Sequence, residues 1–504
     1  MQVSHHLSRT IAILMVFSVL GVYVISVVPS LAQSQTQLLA QSPDVTPTAT
    51  SDSADSAPAQ SNQIYPTVEA LPTVGLAGDK FTRVTISDAV LAGIGKTWLS
   101  FINVNDKPTT ITPGTPTPAN QIETVYIAAP SGGTPIKVID LPATTGQQVF
   151  WSPNGAYLAY FVPTGSGVGL YILDLKIGLS LRLFELEDLS PRGIPSLPTW
   201  SPDSAELTIS LATDYDVDIY SINVDGTNFR NLTSTPAFDF WPTWSPDGQY
   251  LAFVSDRAQC PTWIPNEPGS CYRPDFPTPD GGNLYVMEAQ SGQVRKLSDE
   301  WVTAPPHWIS ASRLSFTAGK RGDSTAGSAL WWVDLRGGPA HRISDDTPGL
   351  LITRDSWSAD GRRVVYQEAD AETRIVIRDD AGTEIARSTQ LNFPRVAFAA
   401  SWSPDGKRLV MGGRNAQCPY GMLLTDDTFK VIKTSSPNPG VCDPSWSPDG
   451  RYIAFNGVTQ TASGTDGRFD VYLAEASGVG GRNLTGRLGG QIRLLGWVNF
   501  NAQQ

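Results

Sequence analysis

Aromatic and arginine side chains concentrate in one stretch of the chain, residues 256–282, with the sequence DRAQCPTWIPNEPGSCYRPDFPTPDGG. Side chains of these types supply a disproportionate share of the binding energy at protein interfaces. The stretch therefore predicts a binding site, with these candidate residues: Arg257, Trp263, Tyr272, Arg273 and Phe276. An alternative is that the aromatic rings form a small hydrophobic core beneath a loop. The sequence leaves both interpretations open.

Signatures of catalysis are missing from the sequence. It contains no G-x-S-x-G nucleophile motif, no H-E-x-x-H zinc motif, no P-loop and no spaced cluster of histidines and cysteines. Two of the four histidines lie near the amino terminus, which leaves His307 and His341 for acid–base or metal chemistry. We therefore expect no enzyme activity, no cofactor and no metal. The RGD tripeptide at Arg321 is interpreted as a chance occurrence.

The amino-terminal residues predict export. Residues 1–10 carry one arginine and no acid, residues 11–28 carry no charge, and the small residues ending at Ala32 fit a signal-peptidase site. We expect residues 1–32 to be a signal peptide, with an uncleaved membrane anchor as the alternative. Residues 33–77 are rich in Pro, Ser, Thr and Gln and predict a disordered linker. The protein is then periplasmic or extracellular, and it meets a membrane only if the leader is uncleaved.

The overall charge argues against one class of partner. Asp and Glu outnumber Lys and Arg by 48 to 36, giving a net charge of -12 and a pI of about 4.9. Because binding to a phosphate backbone requires a basic surface, nucleic acid is an unexpected partner. We expect a monomer.

A repeated pentad dominates the remaining sequence. It reads WSPNG, WSPDS, WSPDG, WISAS, WSADG, WSPDG and WSPDG, starting at these tryptophans: Trp151, Trp200, Trp244, Trp308, Trp357, Trp402 and Trp446. Each is followed by strand-like segments such as YLAFVS and LYVMEA, and a repeat of about 40 to 50 residues is typical of four-stranded propeller blades. Ser-Pro-Asp-Gly favours a tight turn, and the tryptophan is expected to pack between neighbouring sheets.

The strand sets predict an all-β propeller over residues 78–504, with eight blades of four antiparallel strands. Seven sets follow the pentads, and an additional set begins at residues 96–104. The carboxy-terminal segment 494–500 lacks a blade of its own, so we expect it to pair with residues 96–104 and close the ring. A seven-bladed ring is the alternative, with residues 81–91 in a small capping element.

The pattern P-x-W-S-P-D-G, followed by I-A-F-like and I-Y-V-M-D-like strands and by R-x-L-T, resembles the TolB-type, WD40-like propeller repeat. The resemblance extends from about Trp98 to Trp497. It implies a propeller of the bacterial periplasm that works with envelope proteins. The chain departs from TolB itself in having more than six blades and too short a segment before them for an α/β domain.

Loop lengths indicate which face binds a partner. The connections from second to third strand and from fourth to first strand are long, and alternating strands place both classes on one face of the disc. We define this as the long-loop face. Its loops contain all four cysteines, which predicts disulfides from Cys260 to Cys271 and from Cys418 to Cys442, with free buried thiols as the alternative. We expect the fold to be indifferent to the 256–282 insertion.

These observations predict an exported, non-catalytic β-propeller that acts as a protein- or glycan-binding or scaffolding module of the cell envelope. The alternative is a propeller lyase or hydrolase acting on polysaccharide or peptide. Unpaired carboxylates with raised pKa values in the central channel would favour that alternative.

Overall fold

A computed structural model describes residues 81–499, apart from residues 95, 105–121, 132, 143–148, 164–167, 187–196, 213–214, 273–278, 389, 416, 437, 462–463 and 479–480. The expected signal peptide and linker lie outside the described residues. The described chain is almost entirely β-structure, and its single helix is α1 (Asp88–Leu91). No helix in this part of the chain is long and apolar enough to cross a membrane.

The strands form eight blades, which confirms the predicted count over the seven-bladed alternative. Blade 1 contains β2 (Thr97–Val104), β3 (Ile122–Ala128) and β4 (Ile136–Pro142). Blade 2 contains β5 (Val149–Trp151), β6 (Tyr157–Pro163), β7 (Val168–Asp174) and β8 (Leu179–Leu186). Blade 3 contains β9 (Thr199–Trp200), β10 (Glu206–Ala212), β11 (Val217–Asn223) and β12 (Arg230–Asn231). Blade 4 contains β13 (Asp239–Trp244), β14 (Tyr250–Ser255), β15 (Asn283–Glu288) and β16 (Val294–Lys296).

The other half of the ring repeats this order. Blade 5 contains β17 (Trp301–Val302), β18 (His307–Ser310), β19 (Arg313–Lys320), β20 (Asp323–Asp334) and β21 (His341–Arg342). Blade 6 contains β22 (Leu351–Trp357), β23 (Arg363–Ala369), β24 (Thr373–Asp379) and β25 (Glu384–Ser388). Blade 7 contains β26 (Ala399–Trp402), β27 (Leu409–Gly412), β28 (Leu423–Thr425) and β29 (Val431–Thr434). Blade 8 contains β30 (Gly440–Trp446), β31 (Tyr452–Thr461), β32 (Gly464–Glu475) and β33 (Arg482–Asn483).

The carboxy-terminal strand closes the ring as predicted. Strand β34 (Gln491–Asn499) pairs antiparallel with β2, so it is the first strand of blade 1. Residues 81–91 form no separate cap. Instead, β1 (Phe81–Arg83) pairs with β8 as a fifth, outermost strand of blade 2, and Val90 of α1 is buried in the same hydrophobic cluster as Trp98.

The pentads form the turns that their residue types predict. In blade 4 the Ser245 hydroxyl donates to the Asp247 carboxylate at 2.6 Å, the backbone N–H of Gly248 donates to the Ser245 carbonyl at 2.9 Å, and Gly248 has φ +70°. Glycine suits this position because a positive φ costs it little. Ser204 occupies the equivalent position in blade 3 with φ +63°.

The pentad tryptophans join each blade to the blade before it. Trp151 donates through Nε1 to the Ser100 hydroxyl of blade 1 at 2.8 Å, and Trp402 donates to the Ser356 carbonyl of blade 6 at 2.9 Å. Corresponding indole bonds to the preceding blade are made by Trp200, Trp244, Trp308, Trp357 and Trp497. Trp446 is the exception, because its buried Nε1 has no hydrogen-bond partner in the described structure.

Candidate binding face

The second-to-third and fourth-to-first connections meet on one face, but the predicted length of the second-to-third class holds only in part: in blades 5 and 6 these connections are just residues 321–322 and 370–372. The backbone N–H of Trp263, in the second-to-third connection of blade 4, donates at 2.7 Å to the carbonyl of Pro236, in the fourth-to-first connection that precedes it. Arg321, in the second-to-third connection of blade 5, reaches the sulfur of Cys260 at 3.1 Å. The long-loop face is therefore a set of interlocked loops.

Trp263 is part of the interior. Its side chain is 3% exposed, and its ring packs edge-on against Phe238 with centroids 4.8 Å apart. Trp263 and Cys260 belong to one buried cluster with core residues of blades 4 and 5. The expectation that the fold is indifferent to the insertion is therefore wrong, because this ring fills space between the loop and the blades.

A buried carboxylate holds Trp263 in place. The Asp256 carboxylate accepts hydrogen bonds from Trp263 Nε1 at 2.8 Å and from the backbone N–H of Phe238 at 2.9 Å. Burial raises the pKa of Asp256 to about 7, although both hydrogen bonds act in the opposite direction. The carboxyl group connects the insertion to Phe238, the residue that precedes the first strand of blade 4.

Arg257 is committed to a second buried carboxylate. Its guanidinium donates to both oxygens of Asp239 at 2.8 Å, and Asp239 is fully buried. The same guanidinium lies over the rings of Phe253 and Tyr285, at 5.3 and 5.0 Å from their centroids. This arrangement holds Arg257 close to the blade surface.

Tyr272 and Tyr215 form an aromatic pair that crosses two blades. Their rings meet edge to face with centroids 5.8 Å apart, and Tyr215 is 40% exposed. Tyr215 lies in the second-to-third connection of blade 3, far from Tyr272 in the sequence. No sequence spacing links the two residues, so sequence analysis did not identify Tyr215 as part of this surface. Arg273 and Phe276, the other candidates of the insertion, lie outside the described residues. A binding role for the five candidates stays a prediction.

Both predicted cysteine pairs are at disulfide distance. Cys260 and Cys271 have Cα atoms 5.5 Å apart, and Cys418 and Cys442 have Cα atoms 5.4 Å apart. The second pair connects a loop of blade 7 to β30, the first strand of blade 8. It therefore joins two blades, whereas the first pair closes the insertion on itself.

All three residues of the RGD tripeptide make contacts within the protein. Arg321 lies over the Trp301 ring, 5.2 Å from its centroid, and the Asp323 carboxylate pairs with Lys320 at 3.2 Å. The backbone N–H of Gly322 donates to Asp280. These contacts support the interpretation of the tripeptide as a chance occurrence.

Charged side chains reach the centre of the ring from the first strands of blades 5, 6 and 8. His307 Nε2 lies 3.2 Å from the Asp355 carboxylate, which also accepts bonds from Ser315 and Trp357. Burial alone would raise the pKa of Asp355, but the charge and hydrogen bond of His307 hold it at about 2. The pKa of His307 is raised: burial opposes this shift, and Asp355 outweighs it.

Asp443 is the second channel carboxylate. It forms an ion pair with Arg414 at 3.3 Å, and 42% of its side chain is exposed. Desolvation by the surrounding protein raises its pKa, against the lowering effect of Arg414 and Arg354. Asp355 and Asp443 are both engaged by basic groups, which is not the pattern of unpaired carboxylates that a lyase or hydrolase would favour. Within the described residues, no group of three or more His, Cys, Asp or Glu could hold a metal ion.

The chain is similar to known TolB propellers over part of its length. Residues 147–267 match the family described as the TolB beta propeller domain. A protein TolB homolog of Chlorobium chlorochromatii is 36% identical over 106 residues, which are 21% of this chain and 22% of that protein. The Tol-Pal system protein TolB of Francisella tularensis subsp. mediasiatica is 28% identical over 243 residues, 41% of this chain and 53% of that protein. The chain thus spans about half or less of the length of these relatives.

Solved structures align with the chain at low sequence identity and with low TM-scores. TolB from Acinetobacter baumannii has 17% identity and a TM-score of 0.36, covering 58% of this chain and 63% of that chain. An oligogalacturonate lyase in complex with manganese has 14% identity and a TM-score of 0.41, covering 76% of this chain and 97% of that chain. The sequence matches confirm the resemblance of the repeat to the TolB type.

Proposed function

We propose that this TolB-type propeller is an exported, non-catalytic module that binds a protein partner of the cell envelope through its long-loop face. Two observations support an envelope setting: the export signal expected in residues 1–32, and the similarity to proteins named for the Tol-Pal system. The similarity covers only part of those proteins, so the partner is named here by class.

The observation that carries the proposal is the unequal character of the two faces. The pentad face repeats one turn with little variation. The long-loop face carries the insertion, both cysteine pairs and the Tyr215–Tyr272 pair. Loops that are fixed before binding lose less conformational entropy in the complex. Aromatic side chains on such loops are suited to anchor a partner.

A glycan is the second candidate ligand. The exposed ring of Tyr215 offers an apolar face on which a sugar ring could stack, and it lies beside Tyr272 at the rim of the long-loop face. A glycan ligand would use the same surface as a protein partner. The two candidates are therefore distinguished by identifying the material that binds to this surface.

Affinity capture tests the proposal. The mature chain, immobilised through a tag, is incubated with a detergent extract of the native cell envelope, and the retained material is identified by mass spectrometry before and after glycosidase treatment. We expect to retain a specific protein. Added soluble propeller should reduce its retention, and glycosidase treatment should leave its retention unchanged. Retention that disappears with the glycan would favour the glycan candidate, and turnover of envelope polysaccharide or peptide would contradict the non-catalytic role.

A further inference from the structure

Arg354 is an unmatched cation at the centre of the ring. It stands three residues before Trp357 at a β-bulge of β22, with φ +48° and an exposed side chain. Among the residues that the structure describes, none forms an ion pair or a hydrogen bond with the Arg354 side chain. A bulge in this position turns the side chain out of the regular ladder.

The positions equivalent to Arg354 in the next two blades carry a small residue and an acidic residue. Ala399 holds the position three residues before Trp402 in blade 7, and Asp443 holds the position three residues before Trp446 in blade 8. Arg414 reaches the same region from blade 7 and pairs with Asp443.

The charges around Arg354 are already distributed among other partners. Asp355 is engaged by His307, and Asp443 is engaged by Arg414. Arg354 is open to solvent, but the protein atoms around it reduce its hydration, and this desolvation together with the like charge of Arg414 lowers its pKa. Asp443 and Asp355 act in the opposite direction. A second anion placed beside Arg354 would relieve this unfavourable environment.

We propose that Arg354, with Arg414 beside it, binds a carboxylate that a protein partner inserts into the mouth of the central channel. The planar guanidinium matches the two oxygens of a carboxylate, which it can bind through paired hydrogen bonds. A phosphate dianion fits less well, because it would bring more negative charge toward Asp443 and Asp355. The proposal rests on the proposed function, which supplies a partner segment at this face.

Small probes on the purified full chain test the site without the natural partner. The probes are the peptides Ac-Ala-Glu-Ala-amide, with a side-chain carboxylate, and Ac-Ala-Ala-Ala, with a terminal carboxylate. Ac-Ala-Gln-Ala-amide is the neutral control, and trigalacturonate and inorganic phosphate are competing anions. Binding is followed by saturation-transfer NMR. The two carboxylate peptides distinguish an acidic side chain from a chain terminus as the source.

Two substitutions of Arg354 give the expected loss. Arg354→Gln and Arg354→Asn should each weaken carboxylate binding by at least ~10-fold, or ~1.4 kcal/mol. Asparagine tolerates positive φ better than most residues, so Arg354→Asn keeps the test valid if the glutamine variant folds poorly. Arg336→Gln, an 83% exposed arginine in a third-to-fourth connection on the pentad face, should bind like the unmodified protein.

Several results would overturn the site. The first is binding of the neutral peptide as tightly as the carboxylate peptides, and the second is carboxylate binding that is unchanged in both Arg354 variants. The third is phosphate binding that is tighter than carboxylate-peptide binding, and the fourth is binding of trigalacturonate without binding of either peptide. Because the probes are independent of the native partner, the two proposals fail separately. Arg354-dependent peptide binding without any captured envelope protein would contradict the proposed function and leave the carboxylate site standing.

Discussion

Leu99 and Trp497, near opposite ends of the described chain, are paired across two antiparallel strands of one blade. Trp497 also donates through Nε1 to the Ser445 carbonyl of blade 8 at 3.4 Å. The last strand therefore belongs to blade 1 and contacts blade 8. This pairing closes the ring and removes two open sheet edges.

Deletion of residues 491–504 should destabilise the entire propeller. The deletion removes β34, exposes the edge of β2 and uncovers apolar side chains that include Leu99 and Phe101. We expect the melting temperature to fall by more than about 10 °C in differential scanning calorimetry. Deletion of residues 500–504 alone is the control and should change the melt little. Equal melts for both deletions would show that β34 does not close the ring.

Two matched tryptophans should differ in what their indole nitrogen contributes. Trp402 and Trp446 are 6% and 5% exposed, and each has an arginine over its ring, but only Trp402 donates a hydrogen bond through Nε1. Trp402→Phe should therefore lower the free energy of unfolding by about 1 kcal/mol more than Trp446→Phe. Urea unfolding measures both variants. A larger loss at Trp446 would contradict this view of the blade contacts.

Asp256 should make stability depend on pH. Its folded pKa of about 7 lies above the ordinary aspartate pKa of 3.8, so near neutral pH the folded protein holds a proton that the unfolded chain releases. This contribution is fully present below about pH 4 and is lost as pH rises through 7. Relative to Asp256→Asn, the unmodified protein should lose up to about 4 kcal/mol of unfolding free energy between pH 4 and pH 8.

Urea unfolding at pH 4, 6 and 8 checks the Asp256 prediction. Asp405→Asn is the control: the Ser403 hydrogen bond lowers the pKa of Asp405, so its contribution is lost only toward acid pH. A difference between the unmodified protein and Asp256→Asn that stays constant with pH would show that Asp256 remains ionised.

The two cysteine pairs should have different structural effects. Removing either bridge is expected to cost about 3 kcal/mol in the chain-entropy model. Cys260→Ser with Cys271→Ser should increase hydrogen exchange mainly in the insertion. Cys418→Ser with Cys442→Ser should increase it in blades 7 and 8, because that pair joins them. Non-reducing peptide mapping that joined Cys260 to Cys418 would contradict the assignment.

The sequence was sufficient for the repeating part of the structure. The Ser-Pro-Asp-Gly turns, the tryptophans between blades and the pairing of the last strand with the first all follow from residue types at a regular spacing. The site is less predictable. Trp263 faces inward because of the buried carboxyl of Asp256, and Tyr272 meets Tyr215 of another blade. Neither contact leaves a local pattern in the chain.

The bulges show the same limit. Trp241, Arg354 and Asp443 each have positive φ three residues before a pentad tryptophan, with φ values of +55°, +48° and +45°. None of these residue types favours that conformation as glycine does. The bulge depends on how the first strand pairs with the second strand of the blade. The residue types alone therefore do not predict that Arg354 and Asp443 lie near each other.

Capture of the envelope partner by Tyr215→Ser with Tyr272→Ser tests most directly whether the long-loop face binds. The double substitution leaves Trp263 and both cysteine pairs intact, and the melting temperature should stay within a few degrees. Ile177→Ser is the matched control, because Ile177 is 61% exposed in a third-to-fourth connection on the pentad face. We predict that the tyrosine variant retains the partner at least ~10-fold more weakly, or by ~1.4 kcal/mol, while the control retains it fully. Undiminished capture by the tyrosine variant, or a loss confined to Ile177→Ser, would contradict a binding site on the long-loop face.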